Sequence, residues 1–126
     1  MKTGAVRAAA AAGLLFGALS VIAGGRVLAG IDRPDYVVLP WLVRYNVAAG
    51  IVGVVAGLGL WRARRWAVRL AGTLAALHGG VLTALVAWQV TGEAVAVDSF
   101  VAMFLRTIVW SSIVVVTRRA LAVKPG

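Results

Sequence analysis

Apolar residues along this chain neither alternate nor form a stripe on one helix face. They run almost unbroken in four long blocks, and the short segments between the blocks hold most of the charge. The blocks cover about residues 8–30, 41–61, 66–90 and 99–117. Each is about 19–25 residues long, enough at about 1.5 Å of helical rise per residue to cross roughly 30 Å of hydrocarbon. The pattern predicts an all-α integral membrane protein: one domain spanning 1–126, folded as an antiparallel bundle of four transmembrane helices. The segments at 31–40 and 91–98 are short, so each is expected to join antiparallel neighbours. Pro40 stands just before the second block, where a missing N–H costs little.

The charges then orient the bundle. Lys2, Arg7, Arg62, Arg64, Arg65, Arg69, Arg118, Arg119 and Lys124 fall on one side with no acid among them. The other side holds Asp32, Asp35, Glu93 and Asp98, which are all four acids, with Arg33. The excess of lysine and arginine on cytoplasmic segments predicts an N-in, C-in topology, in a membrane of the bacterial inner-membrane type. Trp41, Trp61, Trp66 and Trp88 sit near the expected interfaces, where amphipathic indoles are favoured. The first block has a basic start, and Val27-Leu28-Ala29 lies near a possible cleavage point. Its apolar core is longer than the roughly 7–15 residues of a secretory signal, so it is expected to stay as a membrane helix.

Composition agrees with this class. The chain has 126 residues, 62 % hydrophobic and 13 % charged, with a mean hydropathy of +0.96. A net charge of +9 would suggest nucleic acid in a soluble protein. Here the cations cluster at block ends, so lipid headgroups are the expected partner and nucleic acid is not. There is no cysteine, which removes disulfides, thiolate catalysis and cysteine metal sites.

Small residues recur at four-residue spacing: Gly13 and Gly17; Ala49, Gly53 and Gly57; Gly72, Ala76, Gly80 and Ala84. Such faces allow helices to approach closely in lipid. The third set is the longest and is expected at the centre of the bundle.

Three arginines lie where arginine is expensive. Arg26, Arg44 and Arg106 fall at rough depths of 6, 6 and 12 Å from the acidic side. An arginine at such depth must pair, snorkel to a headgroup or bind something. Arg26 and Arg44 are shallow enough to snorkel. Arg106 is expected to pair with Glu93 or Asp98, to meet carbonyls, or to hold an anion. Convergence of all three would make one positive pocket open to the outside. Tyr45 and Asn46 add hydrogen-bonding groups near that level, and Trp110 lies deep enough to face a ligand or pack. Asn46 is expected to point into the bundle and bond another helix.

His78, the single histidine, lies mid-block, with Gln89 nearly on its face. It is expected to hydrogen-bond a neighbouring helix. The alternatives are a proton relay and a haem site completed by Met103, a second copy's His78 or an outside ligand. Zinc or copper would be short of ligands. Ser20, Ser111 and Ser112 lack a matching base, and no carboxylate pair lies within the blocks, so no catalytic residue is assigned.

In length and span number alone, the chain resembles small bacterial four-helix membrane proteins such as the DoxX-like group. The expected function is non-enzymatic: an accessory subunit or binding module that holds an anionic lipid or amphipathic ligand near the outer leaflet. It would work as a homo-oligomer or in a larger membrane complex, with Arg62, Arg64, Arg65 and Arg69 touching inner headgroups or a partner. The alternatives are an oligomeric transporter or channel for small anions, and electron transfer through haem or quinone.

Overall fold

A computed structural model of the chain describes residues 3–122. Within them the backbone forms α1 (Thr3–Leu28), α2 (Pro40–Trp61), α3 (Arg65–Val90) and α4 (Val97–Ala122), with no strand among the described residues. All four helices are long and apolar enough to cross a membrane. A helix satisfies its own N–H and C=O groups, which lipid cannot do. Each helix packs against its neighbours in chain order, and α4 closes the ring onto α1. This is the antiparallel four-helix bundle that the pattern predicts.

The helices begin and end close to the expected limits. α1 starts earlier, at Thr3, and α4 runs on through Arg118 and Arg119 to Ala122. Counting apolar residues marks only the hydrocarbon; helical hydrogen bonding continues past it. Lys2 and Lys124, assigned to the basic side, lie outside the described residues. Three helices stop in one way. Gly30 (φ +77°), Ala63 (φ +54°) and Gly92 (φ +95°) take a left-handed conformation just past α1, α2 and α3. The next residue's N–H then turns back to the helix: Ile31 to Arg26 O at 2.9 Å, Arg64 to Gly59 O at 2.9 Å and Glu93 to Trp88 O at 3.2 Å. These bonds satisfy carbonyls that the helix ends leave open. Ala63 adopts the conformation without being glycine, at a cost of about 1 kcal/mol.

The tightest seam lies between α1 and α2. A Cβ on Gly50 would stand 2.8 Å from the Gly17 carbonyl oxygen, and one on Gly17 would stand 2.8 Å from both Gly50 O and Val54 N. The two backbones touch because neither residue has a side chain. Trp110 of α4 then fills the hollow left by the glycines. Its ring lies 3.1 Å from a Cβ placed on Gly13 and 2.9 Å from one placed on Gly53. With only 2 % of its surface exposed, Trp110 joins a buried, alanine-rich cluster with Ala10, Ala56, Leu60, Ala71 and Ile113.

One packing expectation is overturned. The small residues of α3 do not form the centre of the bundle. Ala76, Gly80 and Ala84 are exposed, and a Cβ on Gly72 or Gly80 would meet nothing within 4 Å. The inward face of α3 is instead Ala67, Ala71, Leu74, His78 and Leu85. That face, alanines included, is the one that packs against α2 and α4, so spacing alone selected the wrong side of the helix.

Gly50→Ala is expected to lower the stability of the solubilised bundle by about 1–3 kcal/mol, because a methyl must be forced between two backbones. Gly80→Ala, which meets no neighbour within 4 Å, should leave stability unchanged or raise it. Thermal unfolding in one detergent compares them; equal losses at both positions would contradict this packing.

Candidate functional site

At the end of the bundle that carries the acids, α1, α2 and α4 separate around a cavity of about 130 Å³. α1 lines it with Ser20, Ala23, Gly24 and Val27, α2 with Leu42, Val43 and Asn46, and α4 with Asp98, Ser99, Ala102 and Arg106. The connection between α1 and α2 supplies Pro34, Tyr36, Val38 and Leu39. An engineered cavity of about 150 Å³ holds a benzene molecule, so this one has room for a headgroup-sized moiety.

Arg106 is the one arginine in the lining. It is half-buried, and its Nε donates to Ser20 Oγ at 3.2 Å across the α1–α4 seam. Its terminal nitrogens make no hydrogen bond or ion pair among the described residues. The expected pairing with Glu93 or Asp98 is therefore not formed. Asp98 lies two turns along the same face of α4, at the mouth of the cavity, and it is exposed.

Asn46 points inward as its spacing with Gly50, Gly53 and Gly57 predicts. It does not make the expected bond to another helix. Its Oδ1 is buried with no hydrogen-bond partner. An unsatisfied amide oxygen costs about 1–3 kcal/mol.

The three arginines do not converge. Arg26 is drawn away by the connection that follows α1: Nε and Nη2 reach Asp32 at 2.9 and 3.0 Å, the one ion pair among the described residues. Arg44 is exposed on α2 and does not line the cavity. Shared depth was readable from the sequence, but direction around each helix was not. Trp110 also lies outside the lining, one turn past Arg106, as the packing wedge described above.

Tyr45 turns instead toward α3. Its hydroxyl shares a 2.9 Å hydrogen bond with His78 Nδ1, and the two rings meet edge to face. This bond gives His78 the interhelical role its position suggested. At 2 % exposure, His78 has no surface to share with a second copy, and Met103 is fully buried with Leu42 and Leu85. Neither presents a free face to a haem. Gln89 is exposed in the last turn of α3, beyond the cover of the core, so it does not join His78.

Arg62, Arg64, Arg65 and Arg69 are all exposed at the opposite end, around the turn between α2 and α3. Nearby, Arg7 lies over Trp61, 5.2 Å from the ring centroid. That cation–π contact ties the start of α1 to the end of α2. Trp41 and Trp88 pair at the acidic end, with centroids 6.2 Å apart.

Ser20 and Ser99 are the site residues that sequence reasoning missed, while Asp98, expected as an ion-pair partner of Arg106, lines the cavity without pairing. Ser20 was weighed only as a nucleophile. Its helical depth matches that of Arg106, which was the available clue to a polar partner.

No known protein family, curated protein or solved structure matches this chain. The site therefore rests on its own chemistry.

The Arg26 guanidinium, through its hydrogen bonds, holds the Asp32 carboxyl below its ordinary value of 3.8. A depressed carboxylate stabilises the fold above the ordinary value, and that contribution is lost as pH falls through the lowered one. Carboxyl NMR should find Asp32 titrating below 3.8, and Arg26→Gln should return it toward that value. An Asp32 titration that is the same in both chains would contradict the pair.

Proposed function

We propose that this protein is a non-enzymatic membrane binding module that holds the anionic headgroup of an amphiphile in the cavity around Arg106. The observation that carries the reading is the state of Arg106: half-buried among apolar helices, lining a cavity, with Ser20 as its hydrogen-bond partner. An arginine near the centre of a membrane helix costs roughly 2.5–3.5 kcal/mol on insertion scales. One interhelical hydrogen bond returns about 1–2 kcal/mol at best. The remainder must come from water or a ligand in the cavity. A phosphate or carboxylate supplies charge-assisted bonds to the free terminal nitrogens.

The positive-inside rule puts the acidic end outside, so the cavity would open to the outer leaflet of a bacterial-type inner membrane. The exposed basic turn would then sit among inner-leaflet headgroups. Membership of a larger assembly is a further part of the proposal. It is supported by the outward face of α3, whose Gly72, Ala76 and Gly80 leave room for the close approach of another helix.

The readings differ in what lies toward the basic end of the cavity. Small anions would need a route through the bundle. In one chain the way is occupied by the Gly17–Gly50 backbone contact and the Trp110 ring. This favours holding over passage. An electron-transfer role would call for a quinone in the same cavity.

Native mass spectrometry of the protein, extracted gently from its own membrane, separates these cases. The expected result is a retained phospholipid, with retention falling about tenfold or more in Arg106→Gln through loss of charge-assisted bonds. Arg44→Gln should keep it. Equal retention by both variants would overturn the proposal. A bare chain with Arg106-dependent chloride flux in liposomes would support passage, and a retained quinone would support electron transfer.

A further inference from the structure

The cavity is not simply positive. Arg106 lies at its inner part, but α4 also places Asp98 at its mouth on the same face, with Ala102 between them. Asp98 is exposed and makes no ion pair among the described residues. The two residues are two helical turns apart, about 12 Å along the axis. Asn46 lines the same wall, but its Oδ1 is buried away from the open space. The lining thus offers a cationic donor deep inside and an anionic acceptor at the mouth.

A ligand bearing only negative charge would satisfy Arg106. It would also set its charge against Asp98. A ligand with an anion at one end and an N–H donor cation at the other matches both groups. We infer that the headgroup held here is zwitterionic, an aminophospholipid of the ethanolamine phosphate kind. Its phosphate lies at Arg106, and its ammonium is directed to Asp98. This rests on the proposed headgroup site and adds the charge pattern of its ligand.

Charge complementarity supports the assignment. Arginine plus aspartate makes the lining neutral, and a neutral zwitterion leaves no net charge in the filled cavity. The ammonium must be a hydrogen-bond donor, so a trimethylated headgroup should fit less well. Asp98 also lies in the first turn of α4, where an acid complements the helix dipole. That role alone would stabilise the helix without choosing between lipids.

The test uses the full chain in nanodiscs containing equal amounts of phosphatidylethanolamine, phosphatidylglycerol and phosphatidylcholine, read by native mass spectrometry after release. The wild-type chain should retain phosphatidylethanolamine over each of the others by about tenfold, the scale of one charge-assisted contact. Asp98→Asn should bring the ratio to phosphatidylglycerol close to one, with at most a small fall in melting temperature from the lost helix-dipole contact. Arg106→Gln should lose all three, while Arg106→Lys, which keeps the charge, should retain part of the binding. Free phosphoethanolamine that binds with the same Asp98 dependence, while no lipid is retained, would support the zwitterion and place its source in solution. Phosphatidylglycerol retained at least as well as phosphatidylethanolamine, yet dependent on Arg106, would overturn this inference and leave the anion site standing. Retention independent of Arg106 would overturn both. A preference that survives Asp98→Asn would overturn the assignment of the ammonium to Asp98.

Discussion

The Gly17–Gly50 contact sets the geometry of this bundle. Lipid gives apolar helices no hydrophobic reason to associate, so packing must come from close approach and from bonds between helices. α1 and α2 supply the close approach by touching backbone to backbone. Their joined surface leaves a glycine-walled hollow, which the Trp110 ring fills. Arg106 is one turn away from that anchored ring on α4. The position of the only arginine in the cavity therefore depends on glycines in two other helices. Widening the α1–α2 seam would shift Trp110, and with it the wall that carries Arg106.

Polar groups then divide between closing the bundle and leaving it open. Tyr45 and His78 satisfy each other across α2 and α3, and Arg26 and Asp32 do so at the end of α1. Arg106 and Asn46 do not complete their bonding within the protein. Both line the same cavity, where a ligand can complete the bonding of Arg106. Incomplete satisfaction that is concentrated at one place, beside an acid at the mouth, separates this site from the ion-paired Arg26 and the exposed Arg44.

The fold was largely legible because hydrophobic length and short connections leave few arrangements of four helices. The level of each polar residue was legible too, since rise along a helix is fixed. What could not be read was which way each residue faces. α2 and α3 both carry small residues at four-residue spacing; in α2 they face the seam with α1, and in α3 they face outward. The helices are apolar on nearly every side, so periodicity does not separate the inner face from the lipid face. For the same reason Arg26, Arg44 and Arg106 could be assigned comparable depths but not separate surroundings. The roof of the cavity depends on the fold of the 29–39 connection, whose Pro34 and Tyr36 carry no periodic signal.

Asn46 is the single asparagine in the chain, which makes it a selective probe of the cavity. The most direct test of the headgroup site is solid-state NMR of the protein in phospholipid bilayers, with the Asn46 side-chain amide labelled with nitrogen-15. Dipolar dephasing by lipid phosphorus is read at that nitrogen. The account predicts dephasing in the wild-type chain and its loss in Arg106→Gln. An Asn46 amide that sees no phosphorus, in bilayers whose lipid the protein retains on extraction, would contradict it.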